Sequence, residues 1–278
     1  MAISDHLKAL IIGIVEGLTE FLPVSSTAHI RICQELLDIA KEDAYWKMFA
    51  VVIQLGAILA VFVYFRYRIL DFMKHFPRGR NGDRTWWNHP LSLVVLSFFI
   101  TAVPCFLMDK LIADNLESFA VMGSALIVGG LIMWGIDKYF SQRATTHRMD
   151  DITPFQAIVI GLMQIFAATF PGTSRSMSTI AGGQIVGLSR PAALEFSFFL
   201  SLPVMLAATS FKLLQYLLNG EAAISSHQWL VLANGFTVSF LVGWIVIAWF
   251  MSWVNKHGFT IFAVYRIVAG LCVLVWWA

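Results

Sequence analysis

The sequence predicts an all-α integral membrane protein with six transmembrane helices and two re-entrant helical hairpins, arranged as an inverted-topology repeat. Hydrophobic residues make up 58% of the 278-residue chain and charged residues only 13%, which is more apolar surface than one water-soluble core can enclose. Uncharged segments long enough to cross a bilayer recur along the chain. A loop motif at 13–26 also recurs at 161–174, and each copy precedes three of the apolar segments.

Six apolar segments are candidate membrane spans, because a helix rises about 1.5 Å per residue and the hydrocarbon core is about 30 Å thick. The fourth segment is short, and the sixth carries Arg266. Since Arg266 lies only a turn or two beyond the interfacial Lys256, we expect its side chain to extend to the membrane interface. The six segments are 48–65, 91–108, 118–136, 196–211, 228–254 and 258–278.

The charges between these segments predict the orientation of the spans. The connection 66–90 carries six arginines and lysines, and the positive-inside tendency places it in the cytoplasm. The connection 109–117 has one lysine against three acids and is expected outside, 138–148 is basic and expected inside, and 217–227 has no lysine or arginine and is expected outside. These assignments alternate consistently for six crossings.

Two segments, 1–40 and 152–190, must then each enter and leave the membrane on one face. We therefore predict a single membrane domain over 1–278 with two inverted repeats, 1–140 and 150–278, each a re-entrant pair followed by three spans. Broken helices of this kind meet near the membrane midplane and form the binding site in such folds. The alternative is that residues 5–40 lie on the membrane surface as an amphipathic hairpin.

The first copy of the loop motif, GIVEGLTEFLPVSS, supplies two acids. Glu16 and Glu20 are four residues apart in a helical pattern, which places both carboxylates on one face. Each ionised side chain costs about 3 kcal/mol or more at the centre of a span, so the pair needs a cation, a proton or water. We expect Glu16 and Glu20 to hold a divalent cation or to act as a general base. The alternative is two acids at a helix end near the headgroups.

A proline turn follows the acids and leads into hydroxyl groups and an imidazole. Ser25, Ser26 and Thr27 come after Pro23, and His29 is two residues further on. One hydroxyl is what a helix N-cap requires, but three hydroxyls and a histidine exceed that need. Because a helix N-terminus binds anions, we expect this turn to bind a phosphoryl group, with the histidine as acid, base or nucleophile.

The second copy, GLMQIFAATFPGTS, is followed by a fixed positive charge. Gly172 allows close backbone approach, hydroxyl donors surround Arg175, and a guanidinium suits bidentate contact with phosphate. We expect a phosphate cradle here. The alternative is that Arg175 neutralises Glu16 or Glu20. The hydroxyl donors are Thr173, Ser174, Ser176 and, one turn later, Thr179.

Other features bear on the partner and on the remaining residues of the site. Gln54 is an uncharged polar residue in the middle of a span and is expected to line the site. Ser189, Arg190 and Pro191 are typical of a helix start. The net charge of +2 gives no sign of nucleic-acid binding. The partners we expect are a lipid substrate and membrane lipid, and a homodimer is one oligomeric state that we consider.

Three stretches of the chain belong together: EGLTEFLPVSST with His29 close behind, FAVVIQLGAILAV at 49–61 and FPGTSRSMST at 170–179. In this order they resemble the undecaprenyl-pyrophosphate phosphatases of the bacitracin-resistance type, and the likeness extends over essentially the whole chain. Ala28 and Met177 depart from the family pattern, which has glycine at both positions. Both add bulk near the loops without removing a chemical group.

The resemblance implies an integral membrane hydrolase that removes the terminal phosphate of undecaprenyl pyrophosphate, recycles the lipid carrier for peptidoglycan and other envelope polymers, and confers bacitracin resistance. It implies a divalent cation, Mg²⁺ or Ca²⁺, and a site open to the periplasmic side of the bacterial inner membrane. The acidic motif falls on Glu16 and Glu20, the serine and histidine on Ser26 and His29, and the serine-arginine loop on 174–179.

We therefore expect Glu20, Ser26, His29 and Arg175 to be catalytic, and Glu16 and Glu20 to bind the metal ion. Residues expected to bind substrate are Glu16, Ser25, Thr27, Gln54, Gly172, Thr173, Ser174, Ser176 and Thr179. The sequence leaves open whether a side chain attacks or water is activated directly. A lipid carrier or flippase is the rival interpretation, since inverted repeats with broken helices are characteristic of transporters.

Overall fold

A computed structural model describes residues 3–108, 118–218 and 224–277, and its secondary structure is helical. Within these ranges there are twelve α-helices, joined by turns and two short 3₁₀ segments. We number them α1 (Asp5–Thr19), α2 (Ser26–Leu36), α3 (Ala44–Val52), α4 (Gln54–Tyr64), α5 (Arg66–Lys74), α6 (Pro90–Leu107), α7 (Phe119–Phe140), α8 (Pro154–Thr169), α9 (Arg175–Ile185), α10 (Arg190–Leu218), α11 (Ser226–Lys256) and α12 (Thr260–Trp277).

Six stretches of the described chain are long and apolar enough to cross a membrane, which confirms the six predicted spans. The first is broken, because α3 ends at Val52 and α4 begins at Gln54. The fourth, α10, carries Pro203 inside it. The predicted outer connection 109–117 lies outside the described residues, and so does part of 217–227. The six are Ala44–Tyr64, Pro90–Leu107, Phe119–Arg143, Arg190–Leu218, Ser226–Val254 and Thr260–Trp277.

The two predicted hairpins, α1–α2 and α8–α9, share a local backbone pattern. A serine with positive φ stands directly before the second helix of each, Ser25 at 74° and Ser174 at 73°. Both second helices have 11 residues. Each is followed two positions later by a left-handed residue, Asp38 at 52° and Gly187 at 88°. The opposite insertion of the two hairpins stays a prediction.

The backbone pattern shifts the correspondence between the two loops by one residue. Matching the prolines pairs Ser26 with Ser174, but the positive φ pairs Ser25 with Ser174. The second loop has one more residue between its proline and its helix, since Gly172 and Thr173 occupy the place of Val24 alone. By backbone position, Ser26 therefore corresponds to Arg175.

The chain forms two compact units, and each takes helices from both halves of the sequence. The first comprises the described residues of 1–21, 26–64 and 201–249. Its apolar core joins Ile12 of α1, Ile30 of α2, Phe49 of α3 and Val231 of α11, among others.

The second unit comprises residues 22–25, 65–200 and the described part of 250–278. In it α7 and α12 pack closely through glycines, since a Cβ on Gly270 would lie 2.6 Å from the carbonyl oxygen of Gly123. A buried Asp137 of α7 accepts hydrogen bonds from Arg190, from Gln184 and from the main-chain nitrogen of Phe259. Four elements are thereby joined at one carboxylate.

A charged cluster of the second unit links α5, the segment before α8 and the start of α10. Arg68 of α5 pairs with Asp150 and, at 2.9 Å, with Glu195. Burial alone would raise the pKa of Asp150, but the hydrogen bond and positive charge of Arg68 outweigh it and lower that pKa. Helix α5 is thus tied to α10 by charge pairing.

Candidate active site

Helix α1 places the two acids of the first motif as predicted. The main-chain nitrogen of Glu20 donates to the carbonyl of Glu16 at 2.9 Å, so the helical turn continues through both residues. Glu16 is fully buried and Glu20 is 7% exposed. The helix approaches α11 closely on this side, because a Cβ on Gly13 would lie 2.7 Å from the carbonyl oxygen of Gly235. Both carboxylates are therefore held inside the first unit.

A short hydrogen bond joins the acid motif to the serine turn. The hydroxyl of Ser26 donates to Oε2 of Glu20 at 2.5 Å, and both residues are less than a tenth exposed. That distance is in the range of charge-assisted O–H···O⁻ bonds. Ser26 is the first residue of α2, so its hydroxyl sits at a helix N-terminus beside a carboxylate. This arrangement suits a hydroxyl or a water that must lose a proton during a reaction.

The other candidate residues of the first repeat differ in their burial. Ser25 is buried in the left-handed region, which costs a residue other than glycine on the order of 1–3 kcal/mol and is typical of functional sites. Thr27 is exposed and His29 is half-buried, both on the first turn or two of α2. Gln54 is half-buried and begins α4, at the break in the first span.

In the second loop, Gly172 packs tightly against another helix. It has φ +94°, and a Cβ there would lie 2.5 Å from the carbonyl oxygen of Met122 in α7. The sequence predicts that this glycine allows backbone approach to a ligand. The structure shows close backbone approach to α7, which is sufficient reason for a glycine at this position.

Ser174 and Ser176 hold the start of α9. The hydroxyl of Ser174 accepts from the main-chain nitrogen of Met177 and is 3.1 Å from the Ser176 hydroxyl. Ser176 also donates to the carbonyl of Leu22 at 3.1 Å, and Leu22 belongs to the same unit. The tip of the first loop, residues 22–25, is therefore bound directly to the second loop.

Arg175 is anchored by a residue that the sequence did not single out. Its Nη1 donates to the carbonyl of Ser197 in α10 at 3.3 Å. The Ser197 hydroxyl is 2.6 Å from that of Thr179, which donates back to the Arg175 carbonyl. Thr179 and Ser197 are fully buried. Both therefore orient the start of α9, and Thr173 beside it is half-buried.

The expectation that Arg266 extends to the membrane interface is wrong. Arg266 is fully buried. It donates to the carbonyls of Pro23 at 3.1 Å, Gly172 at 3.0 Å and Ala125 at 3.1 Å. Two of these carbonyls belong to the loop tips, so an arginine in the last span contacts both motifs.

One further polar residue matches the first acid across the repeat. Gln164 of α8 corresponds to Glu16 and is 2% exposed. Among the described residues its Oε1 has no hydrogen-bond partner. It is a buried acceptor one turn before the second loop.

Two acidic side chains, one in α1 and one at its C-cap, are the candidates to hold the expected divalent cation. Over the described part of the chain, no group of three His, Cys, Asp or Glu side chains is placed to hold a metal ion. Glu16 and Glu20 offer two buried carboxylates. Mg²⁺ usually binds one or two carboxylates and completes its shell with water and substrate phosphates. The pair fits a cation shared with a phosphate ligand and does not fit an all-protein cage.

Comparison with known proteins agrees with the motif resemblance. The profile of the family described as Bacitracin resistance protein BacA matches residues 9–272. The chain belongs to this family. The BacA family match includes most of α1, both loops and most of α12, and every candidate site residue lies within it.

Curated relatives of the family match along nearly their whole length. An undecaprenyl-diphosphatase of Koribacter versatilis (strain Ellin345) is 53% identical over 281 residues, covering 98% of each chain. An undecaprenyl-diphosphatase of Thermoanaerobacter sp. (strain X514) is 40% identical over 269 residues, covering 97% of this chain and 96% of the relative. One from Caldanaerobacter subterraneus subsp. tengcongensis is 41% identical over 268 residues, covering 96% and 94%.

Proposed function

We propose that this membrane protein hydrolyses undecaprenyl pyrophosphate to undecaprenyl phosphate and inorganic phosphate. The reaction returns the lipid carrier to the synthesis of cell-envelope polymers and underlies bacitracin resistance. The observation that carries the proposal is the buried Ser26–Glu20 hydrogen bond at the start of one helix, together with Arg175 at the start of the equivalent helix. The names of the relatives support the same substrate.

The second loop binds the pyrophosphate in this proposal. Arg175 is the first residue of α9, where main-chain nitrogens without helical partners favour an anion. The guanidinium, which the carbonyl of Ser197 anchors through Nη1, has the planar fork that suits bidentate contact with phosphate oxygens. As the bridging P–O bond breaks, the guanidinium stabilises charge on the transferred phosphoryl group. Ser174, Ser176 and the neighbouring main chain preserve the shape of this cradle.

The first loop supplies the group that attacks or the base that prepares it. Two routes remain. In one, the Ser26 hydroxyl or His29 attacks the terminal phosphorus and water later releases phosphate from that side chain. In the other, Glu20 or His29 takes a proton from a water, whose oxygen forms the new bond to phosphorus. In both, the bond to the bridging oxygen breaks and undecaprenyl phosphate leaves.

Glu16 and Glu20 would hold a divalent cation, Mg²⁺ or Ca²⁺, together with phosphate oxygens. When bound, such an ion would neutralise charge on the pyrophosphate. The buried position of the two carboxylates favours this assignment, because an acid pair in an apolar environment needs a compensating positive charge. Ser25, Thr27, Gln54 and Thr173 complete the proposed substrate contacts.

We further propose that the site opens to the periplasmic side of the bacterial inner membrane and that the prenyl chain lies among the spans. The support for the membrane is the six apolar helices. The support for the orientation is the basic connection 66–90, which favours the cytoplasm.

Phosphate release tests this function. Purified protein in detergent is incubated with farnesyl pyrophosphate, a soluble prenyl pyrophosphate, with Mg²⁺, with Ca²⁺ and with a chelator. We expect steady release of inorganic phosphate that needs a divalent ion. A carrier alone would release none. Absence of phosphate release with either ion, from protein with a cooperative unfolding transition, would exclude the hydrolase assignment.

A further inference from the structure

The guanidinium of Arg266 lies between the two loop tips. Within the second unit it donates hydrogen bonds to the carbonyl of Pro23 in the first loop and to that of Gly172 in the second. A third bond, to the carbonyl of Ala125, fixes it to α7. Across the described part of the chain it has no carboxylate partner. All three acceptors are main-chain groups.

These two carbonyls are close in the chain to the residues that the reaction uses. Pro23 is two residues before the left-handed Ser25, and Gly172 is two residues before the left-handed Ser174. Each serine directly precedes a helix start. A change in the position of either carbonyl therefore moves a helix N-terminus through a few backbone dihedral angles. One side chain thus contacts both loops.

Burying a guanidinium has a free-energy cost that burying an apolar side chain of similar size does not have. Removing a charge from water costs several kcal/mol unless hydrogen bonds compensate for it. α7 and α12 already pack through glycines along their contact and need no cation to associate. The charge is therefore better explained by the loop carbonyls, which only a forked donor can reach together.

α7 is shaped to admit this side chain. A Cβ on Gly129 would lie 2.2 Å from Nη2 of Arg266. Because that atom is the end of a long side chain, the guanidinium would move and the helix would stay. Gly135 is on the same helix and would meet nothing within 4 Å. The two glycines thus differ in whether an added methyl group meets Arg266 and, at 2.9 Å, the end of the Met177 side chain.

We propose that Arg266 is a positioning residue for the hydrolysis: it joins the carbonyls of the two loop tips and so sets the relative position of Ser25 and Ser174, the residues that directly precede the two helix starts. It acts through the main chain of the loops and need not touch the substrate. This inference rests on the proposed function for its kinetic consequence, but the loop contacts themselves can be measured without turnover.

Three variants test the proposal. Arg266→Lys keeps the charge but loses the planar fork, so the contact with both loops is lost. Gly129→Ala keeps Arg266 and displaces its guanidinium. Gly135→Ala is the matched control, because both alanine substitutions change a glycine inside α7 and raise its helix propensity equally. Gly129→Ala also covers the case in which Arg266→Lys fails to fold.

The first readout is steady-state phosphate release from farnesyl pyrophosphate. We expect kcat to fall about 10- to 100-fold for Arg266→Lys and Gly129→Ala, the size of effect that misplacing catalytic groups by about 1 Å produces. KM should change little, because Arg175 and the other phosphate contacts are still present. Gly135→Ala should keep the kcat of the unmodified protein.

The second readout is hydrogen exchange of backbone amides, followed by mass spectrometry. Amides at 24–27 and 172–176 should exchange faster in Arg266→Lys and Gly129→Ala than in Gly135→Ala, while those of α3 and α4 stay the same. Loop exchange equal to that of Gly135→Ala in both variants, or an unchanged kcat in both, would overturn the proposal. Should the unmodified protein release no phosphate, the proposed function fails, and the exchange readout still decides whether Arg266 holds the loops.

Discussion

The hydrogen bond between Ser26 and Glu20 leads to a quantitative prediction. Replacing Glu20 with glutamine keeps the size of the side chain and removes its charge. The bond is 2.5 Å long and both residues are buried. A hydrogen bond to a charged group contributes about 1.5–3 kcal/mol. At 1.36 kcal/mol for each factor of ten, losing that contribution in the transition state lowers kcat about 10- to 160-fold.

The loss is larger if the carboxylate also accepts a proton during the reaction, since general base catalysis contributes about 10²–10⁴-fold. A tenfold decrease for Glu20→Gln is therefore the smallest effect that we expect. Because Ser26 and Glu20 act as one unit, their effects should not add. The double variant Glu20→Gln/Ser26→Ala should be no slower than the slower single variant.

The assay is the initial rate of phosphate release in detergent for both single variants and the double variant. Glu42→Gln is the matched control, because its side chain is 85% exposed and pairs only at the surface with Lys47. It should retain full activity. Unfolding temperatures within the range of the control confirm that the site variants fold. A kcat for Glu20→Gln equal to that of Glu42→Gln, or fully additive effects in the double variant, would refute this assignment.

Three further predictions concern stability in detergent, each measured by thermal unfolding. Gly172→Ala should lower the unfolding temperature more than Gly82→Ala, because both glycines have positive φ but only the first would place a Cβ 2.5 Å from main chain of α7. Asp137→Asn should lower the free energy of unfolding by about 3 kcal/mol, since it removes the charge of one partner from the buried ion pair with Arg190. An unchanged unfolding temperature would contradict that role. The lowered pKa of Asp150 means that its contribution is present above the unfolded pKa of about 3.9 and is lost as the pH falls through the folded value. Arg68→Gln should reduce this acid sensitivity, and equal acid sensitivity would show that the pair contributes nothing.

The spans and the polar loops could be predicted from the sequence because each depends on neighbouring residues. Transfer into lipid is decided by the composition of about 20 consecutive positions. The contact between Glu20 and Ser26 bridges only six positions around a proline turn. The one-residue shift between the loops was not visible, because an additional glycine residue leaves the letters of the motif nearly aligned.

The partners of the second loop could not be predicted in the same way. Arg266 and Pro23 are 243 positions apart, and Ser197 and Arg175 are 22 positions apart, so helix packing brings them together. A charge inside an apolar span was nevertheless a signal, since such residues commonly serve the site. The proximity of Lys256 favoured the interface instead. The close approach of Gly172 to α7 was likewise invisible in the sequence, and its approach to a ligand stays a prediction.

The most direct test of the account is phosphate release from undecaprenyl pyrophosphate by the unmodified protein and by Arg175→Ala, with Arg78→Ala in the exposed basic connection as control. We predict that the unmodified protein releases one phosphate per lipid and that Arg78→Ala does so at the same rate. The rate of Arg175→Ala should be lower by a factor of about 100 or more, with the same unfolding temperature. Equal rates from the two arginine variants, or no phosphate from any of the three proteins, would contradict it.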